Sequence, residues 1–99
     1  MRRLVVRPRA RAEFESALEW YASHAPDAAE EFAAQFEVAL RLIEEAPERN
    51  RVVSGRLRRL LVRRFPYGVY YKVFPHVISV VGVIHGRRDP RRWLKRDGP

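Results

Sequence analysis

The sequence predicts an α+β domain in which a helical hairpin packs on one face of a mostly antiparallel four-stranded sheet. The first observation behind this prediction is a helical spacing of apolar residues through most of residues 10–43. The second is a pair of runs rich in β-branched and aromatic residues, 63–74 and 77–88, which a Pro-His pair separates. Together they give the element order β-α-α-β-β-β within a single domain that spans residues 1–99.

A short strand and two helices account for the first half of the chain. The apolar residues 4–6 lie between arginines and stop at a proline, as in a short edge strand whose charges discourage pairing with other chains. One helical stripe begins at Ala10, and a second begins after a break at 23–27 and ends before Pro47. Trp20 falls beside the first stripe, where rim packing and contact with a partner explain it equally well. The stripe residues are Ala10, Phe14, Ala17, Leu18 and Tyr21 in the first helix and Ala29, Phe32, Phe36, Ala39, Leu40 and Ile43 in the second.

Three further strands are expected in the second half of the chain. Residues 48–56 are predicted to form a polar connection with a turn at a Ser-Gly pair, and residues 57–64 a strand with poor alternation. The runs 63–74 and 77–88 then form a hairpin. The last run is apolar at nearly every position, which is typical of a strand covered on both faces, so we expect it at the centre of the sheet.

Composition and motifs exclude several classes of protein. The chain has no cysteine, which removes disulfide frameworks and thiolate metal sites and favours a reducing cytoplasmic location. The apolar run at residues 4–6 is too short for a signal peptide or a membrane span. The sequence contains no motif for a phosphate-binding loop, a dinucleotide, a nucleophilic serine or a histidine-ligated metal, so no cofactor and no metal are expected.

The net charge of +8 is distributed unevenly along the chain. Residues 1–47 carry six arginines and nine carboxylates, a balance of −3, whereas residues 48–99 carry fourteen Lys or Arg and three carboxylates, a balance of +11. A basic surface on the sheet half of the chain suits an acidic partner, either nucleic acid or an anionic protein segment. A generally arginine-rich genome is the alternative explanation, because arginine outnumbers lysine eighteen to two.

The end of the last predicted strand is the strongest candidate for a functional site. There the apolar run gives way to His85 and then to a cluster of arginines. A histidine beside cations that bind phosphate is able to act as a general acid or base in RNA cleavage. A histidine in a hydrogen-bond network at the end of a sheet is the commoner situation, so both interpretations stay open.

Two motifs resemble the RelE/ParE superfamily of toxins from bacterial type II toxin-antitoxin modules, and the likeness covers almost the whole chain. The motifs are Phe65-Pro66-Tyr67-x-Val69-x-Tyr71 and Val83-Ile84-His85-x-Arg87-Arg88-x-Pro90-x-x-Trp93. The resemblance implies a small cytoplasmic toxin of the plasmid-stabilisation type that a cognate antitoxin holds inactive. The antitoxin's acidic, partly disordered C-terminal segment would wrap across the helical hairpin and the sheet edge.

The superfamily has two activities, and this chain is nearer to the ParE branch. RelE-like members cut messenger RNA on the ribosome and carry an arginine where this chain has Gly68. ParE-like members inhibit DNA gyrase and need no nuclease residues, so this interpretation implies a protein inhibitor and no enzyme. The target contact is then expected at the basic end of the chain, in Arg87, Arg88, Arg91, Arg92, Trp93 and Lys95.

Two alternatives stay open on the sequence alone. As a ribosome-dependent messenger RNA endoribonuclease, the protein would use His85 as acid or base and Arg88 and Arg64 to hold phosphate. The loss of one preorganised donor at Gly68 would cost such a reaction about 3 to 4 kcal/mol of transition-state stabilisation. As a nontoxic interaction module, the protein would bind nucleic acid with its basic face and do nothing further.

Overall fold

The structure, a computed structural model, describes residues 2–86 and confirms the α+β class. Two helices pack on a five-stranded mixed sheet, one strand more than predicted. Neither helix in this part of the chain has the length and apolarity needed to cross a membrane. The elements in chain order are β1 (Arg3–Val6), α1 (Pro8–His24), α2 (Pro26–Glu45), β2 (Val52–Ser54), β3 (Leu57–Leu61), β4 (Tyr67–Val73) and β5 (Val77–His85).

The strands lie in the order β1-β5-β4-β3-β2, and every pair is antiparallel except β1 with β5. The sequence placed β5 at the centre of the sheet, and this was wrong by one position, because β4 occupies the centre. The reason is that β3 and β2 both continue the sheet beyond β4, whereas only β1 lies beyond β5. The apolar run of β5 is nevertheless buried throughout Ile78–Ile84, as expected for an interior strand.

The additional strand is β2, which lies in the segment predicted to be a polar connection. Val52 pairs with Arg58 and Ser54 with Leu57, so β2 and β3 form a hairpin with a two-residue turn. Gly55 begins that turn with φ +53°, a conformation that glycine adopts without steric cost. Two β-branched valines before such a turn therefore continue the sheet.

The third strand is shorter than the predicted strand 57–64, and the connection to β4 is correspondingly longer. β3 ends at Leu61, and Arg64 takes φ +73° in the turn that follows. The backbone N–H of Val62 donates to the carbonyl of Tyr67 at 2.8 Å, which closes this turn. Arg63 and Arg64, the last two residues of the predicted strand, therefore lie in the turn and are exposed.

Prolines set the helix boundaries. Pro8 and Pro26 occupy the first turns of α1 and α2, where a missing N–H costs nothing and the fixed φ favours a helix. α1 thus begins two residues earlier than Ala10, where the stripe starts. The backbone N–H of Ala25 donates to the carbonyl of Tyr21 at 2.6 Å and ends α1 immediately before α2 begins.

The predicted stripes of both helices face the sheet and form the main core. Phe14 stacks on Phe36 with ring centroids 4.1 Å apart, and Phe32 lies 5.1 Å from Phe65. A smaller buried cluster lies on the opposite face of the sheet and consists of Leu57, Tyr70, Val81 and Ile84. The fully buried residues of the main core include Ala10, Phe32, Phe36, Ile43, Val69, Tyr71, Ile78 and Val80.

Candidate functional site

A groove runs between α1 and the second half of β5. It forms because β1 pairs only with Val77–Val80, so α1 and not a strand lies beside the rest of β5. A carboxylate oxygen of Glu13 accepts the backbone N–H of Val83 at 3.0 Å and so caps this stretch of the sheet edge. The groove encloses about 430 Å³. Its lining residues are Arg9, Ala12, Glu13, Ser16, Ala17 and Trp20 of α1, Tyr67 of β4, and Val83, Ile84 and His85 of β5.

Aromatic side chains line the end of the groove next to His85. The Tyr67 ring meets the His85 ring edge-on, with centroids 5.4 Å apart. Trp20 is 55% exposed and stacks on His24 at 4.1 Å, one helical turn further along α1. A second cavity of about 270 Å³ opens among Trp20, Tyr21, Pro66, Tyr67 and His85.

Tyr21 lines the second cavity at this aromatic end. Burial raises the pKa of its hydroxyl, and the neighbouring Tyr67 raises that pKa further. A tyrosine hydroxyl is protonated at neutral pH with its ordinary pKa of about 10, and both effects move its ionisation further above neutral pH. It offers hydrogen bonding to a ligand but no negative charge.

Of the residues proposed from the sequence for RNA cleavage, His85 and Arg64 lie at the same end of the sheet. His85 is partly exposed at the end of β5, and Arg64 is exposed in the turn that leads into β4. The two segments meet where the N–H of Gly86 donates to the carbonyl of Pro66 at 2.6 Å. The remaining proposed site residues, namely Arg87, Arg88, Arg91, Arg92, Trp93 and Lys95, lie outside the described residues, so their roles stay predictions.

Gly68 lies beneath two side chains on the sheet face opposite to the helices. A Cβ atom at this position would come within 3.0 Å of Cε1 of Tyr70 and 3.2 Å of Cγ and Cδ of Arg59. Contacts shorter than about 3.4 Å are repulsive for carbon atoms, so the space above this glycine is already filled. The aliphatic stem of Arg59, from the neighbouring strand, lies where a side chain would project.

Sequence reasoning missed the role of Glu13 and left that of Trp20 open. The helical period places Glu13 off the apolar stripe of the first helix, and nothing in that period shows that a strand edge lies beside it. The available signal for Trp20 was its place beside the apolar stripe. The structure puts it at the rim of the groove, more than half exposed.

The described residues offer no obvious metal centre. Among residues 2–86 there is no group of three His, Asp or Glu side chains arranged to hold an ion. The charged and hydroxyl groups that α1 contributes to the groove are those of Arg9, Glu13 and Ser16.

Comparison with known proteins identifies the family. A sequence model described as "ParE toxin of type II toxin-antitoxin system, parDE" matches residues 4–90. The chain belongs to the ParE toxin family. No curated protein sequence matches it.

A solved structure supports the same fold for this ParE-family chain. It is described as "Chromosomal ParDE TA system from P. aeruginosa" and superposes with a TM-score of 0.76 at 15% sequence identity. The match covers 86% of this chain and 96% of that chain. The identity is low enough that this likeness concerns the fold alone. Family membership makes the protein the toxin component of a type II toxin-antitoxin system and implies an antitoxin partner.

Proposed function

We propose that this ParE-family toxin inhibits DNA gyrase and does not cleave RNA. The observation that carries the proposal is the filled space above Gly68. RelE-like ribonucleases resemble this chain but carry an arginine at that position, where it stabilises the phosphate. Here an arginine would displace the buried ring of Tyr70 and the stem of Arg59, so this face of the sheet is built without that cation.

The proposed gyrase contact is the basic end of the chain, which follows β5 directly. It carries Arg87, Arg88, Arg91, Arg92, Trp93 and Lys95, five cations and one aromatic residue. An aromatic side chain among arginines is a common composition for the centre of a protein interface. β5, which pairs with β4, ends at His85, two residues before this segment begins in the sequence.

We further propose that a cognate antitoxin neutralises the toxin in the cytoplasm, as in modules that stabilise plasmids. Its acidic, partly disordered C-terminal segment would fold over the helical hairpin and a sheet edge. Exposed apolar side chains on the described surface support a partner of this kind, since a wrapping segment would cover them. They are Trp20 of α1, Leu42 of α2, Val52 of β2 and Leu61 of β3.

A supercoiling assay with purified toxin and gyrase tests the target. We expect inhibition by the wild-type protein and loss of inhibition in an Arg87→Ala, Arg88→Ala double variant. Circular dichroism checks that the double variant is folded. The matched control is Arg11→Ala, Arg41→Ala, which removes two exposed arginines from the helices and should still inhibit. Undisturbed supercoiling at concentrations that stop growth would exclude gyrase as the target.

One observation keeps RNA cleavage as the second candidate. His85 stands at the mouth of an aromatic-walled groove at the same end of the sheet as Arg64, with Arg88 three residues further along. Mapping of messenger RNA ends after induction separates the two activities. New cuts within translated codons that disappear in His85→Ala would support the ribonuclease. If induction of the gene does not slow growth, with or without co-expression of the adjacent antitoxin reading frame, the protein would instead be a module that only binds nucleic acid.

A further inference from the structure

The smaller cavity at the His85 end of the sheet is lined mainly by aromatic rings. It encloses about 270 Å³, and its lining residues are Trp20, Tyr21, Pro66, Tyr67 and His85. We call it the aromatic cavity. None of these five residues is an arginine or a lysine, although the chain carries twenty such residues. The rings therefore set the electrostatic character of this cavity.

Each ring of the aromatic cavity stands at a steep angle to the next. Trp20 and Tyr21 meet at 88° with centroids 5.3 Å apart, and Tyr21 and Tyr67 meet at 68° and 6.4 Å. Tyr67 and His85 follow at 72° and 5.4 Å. Neighbouring rings at such angles border a small space as adjacent sides of a box do. A ligand in the cavity therefore contacts rings from more than one direction.

A lining of this kind favours a cation over an anion. The face of an aromatic ring carries the negative part of its quadrupole, so it attracts a cation and repels an anion. A phosphate or a carboxylate would also find no arginine or lysine among the lining residues. A quaternary ammonium has no N–H group that needs an acceptor, and its methyl groups add apolar contact with the rings. Aromatic cages bind methylated ammonium groups in this way.

The charges near the aromatic cavity do not override this preference. The adjoining groove, which shares Trp20, Tyr67 and His85 with the cavity, contains one arginine and one carboxylate, those of Arg9 and Glu13. These two charges have opposite signs. The net charge of +8 opposes the approach of any cation, but salt screens charges beyond about 8 Å at physiological ionic strength. The affinity for a cation should therefore come from the rings.

Two contacts fix the indole of Trp20 at the rim before a ligand binds. The ring of His24 stacks on it with an interplanar angle of 10° and centroids 4.1 Å apart. Nδ1 of His24 also donates to the carbonyl oxygen of Trp20 at 2.8 Å, which holds the two rings together. The indole is still 55% exposed, so a ligand has access to it. Ordering of this side chain therefore adds little to the entropy cost of binding.

We propose that the aromatic cavity binds a small organic cation that carries a methylated ammonium group. The proposal concerns a binding site and includes no chemical step. It uses no residue of the basic end of the chain, so it does not depend on the proposed gyrase target. A supercoiling assay and a binding assay therefore test the two proposals separately.

A ligand-observed NMR titration with the full-length protein tests the site. The probe is choline, and its control is dimethylbutanol, the neutral isostere in which a carbon atom replaces the quaternary nitrogen. We expect the methyl protons of choline to shift upfield, because they lie over aromatic rings, and choline to bind at least about threefold more tightly than dimethylbutanol. Equal or tighter binding of dimethylbutanol would refute a cation site. Weaker choline binding at higher salt would assign the attraction to a carboxylate and would also refute it.

Substitutions locate the binding. Trp20→Leu keeps an apolar side chain but removes the ring, so it should weaken choline binding at least about threefold, whereas Trp20→Phe should weaken it less. Tyr67→Leu removes a ring from a different element and should have a similar effect. The matched control is Leu42→Ala, which shortens an exposed apolar side chain on α2 and should change the affinity less than about twofold. Circular dichroism checks the fold of each variant. Wild-type affinity in folded Trp20→Leu or Tyr67→Leu would refute the aromatic cavity as the site.

Discussion

The hydroxyl of Tyr71 is predicted to be the main anchor of the connection between α2 and β2. This side chain is fully buried in β4, and its hydroxyl donates to the carbonyl of Pro47 at 2.6 Å. The same oxygen accepts Nδ2 of Asn50 at 2.9 Å. Tyr71→Phe removes both hydrogen bonds and leaves two protein groups without a partner, while the apolar ring and its packing are retained.

The expected loss of unfolding free energy follows from these two hydrogen bonds. Each contributes about 1 kcal/mol, so the variant should lose about 2 kcal/mol of unfolding free energy. In a domain of this size that loss lowers Tm by about 10 °C. Urea denaturation at neutral pH measures the free energy, and thermal denaturation followed by circular dichroism measures Tm.

Tyr67→Phe is the matched control. Tyr67 belongs to the same strand, but its hydroxyl makes no hydrogen bond with the described residues, so we expect less than about 0.5 kcal/mol. Asn50→Ala removes one of the two hydrogen bonds in wild type and should cost much less in a Tyr71→Phe background. A loss below 0.5 kcal/mol for Tyr71→Phe, or additive effects of the two substitutions, would refute the anchor.

Three further predictions follow from the described contacts. Burial raises the pKa of Tyr71. The unfolded chain therefore loses this proton at a lower pH than the folded chain, so the stability that the Tyr71 hydroxyl contributes should be full below about pH 10 and fall above it. Urea midpoints measured against pH should fall less steeply in Tyr71→Phe. Gly68→Ala should cost about 1 to 2 kcal/mol, because the new methyl group meets Tyr70 at 3.0 Å; a gain in urea midpoint would show that this ring moves freely. Glu13→Ala should speed hydrogen exchange of the Val83 amide at least about fivefold, whereas Glu13→Gln keeps an acceptor and should change it less; equal rates in all three proteins would exclude the cap.

Sequence periodicity was sufficient for the parts of the fold that depend on local rules. The two helical stripes became the core-facing sides of α1 and α2, since a 3.6-residue period fixes which residues share a face. Pro26 and Pro47 bounded α2 because a proline begins a helix well and interrupts one badly. The short edge strand at residues 4–6 was also correct, as β1.

Local sequence rules predicted the strands and their order less well than they predicted the helices. β2 was missed because a three-residue strand is too short to show alternation, and its two valines lie within a polar stretch. The central position of β4 was missed because burial on both faces is shared by β4 and β5. Strand order depends on which strands continue the sheet outward, and hydrophobic pattern alone does not contain that information.

By itself, the sequence determined the α+β class, the helical hairpin, the concentration of positive charge in the second half and the motifs that resemble the toxin family. Only the tertiary structure decided which distant side chains meet. Glu13 caps the N–H of Val83 across 70 residues of chain, and Arg2 reaches Glu48 across 46. The physical reason is that such contacts depend on strand order and register, which set where each side chain lies in space, whereas periodicity specifies only the face on which it lies.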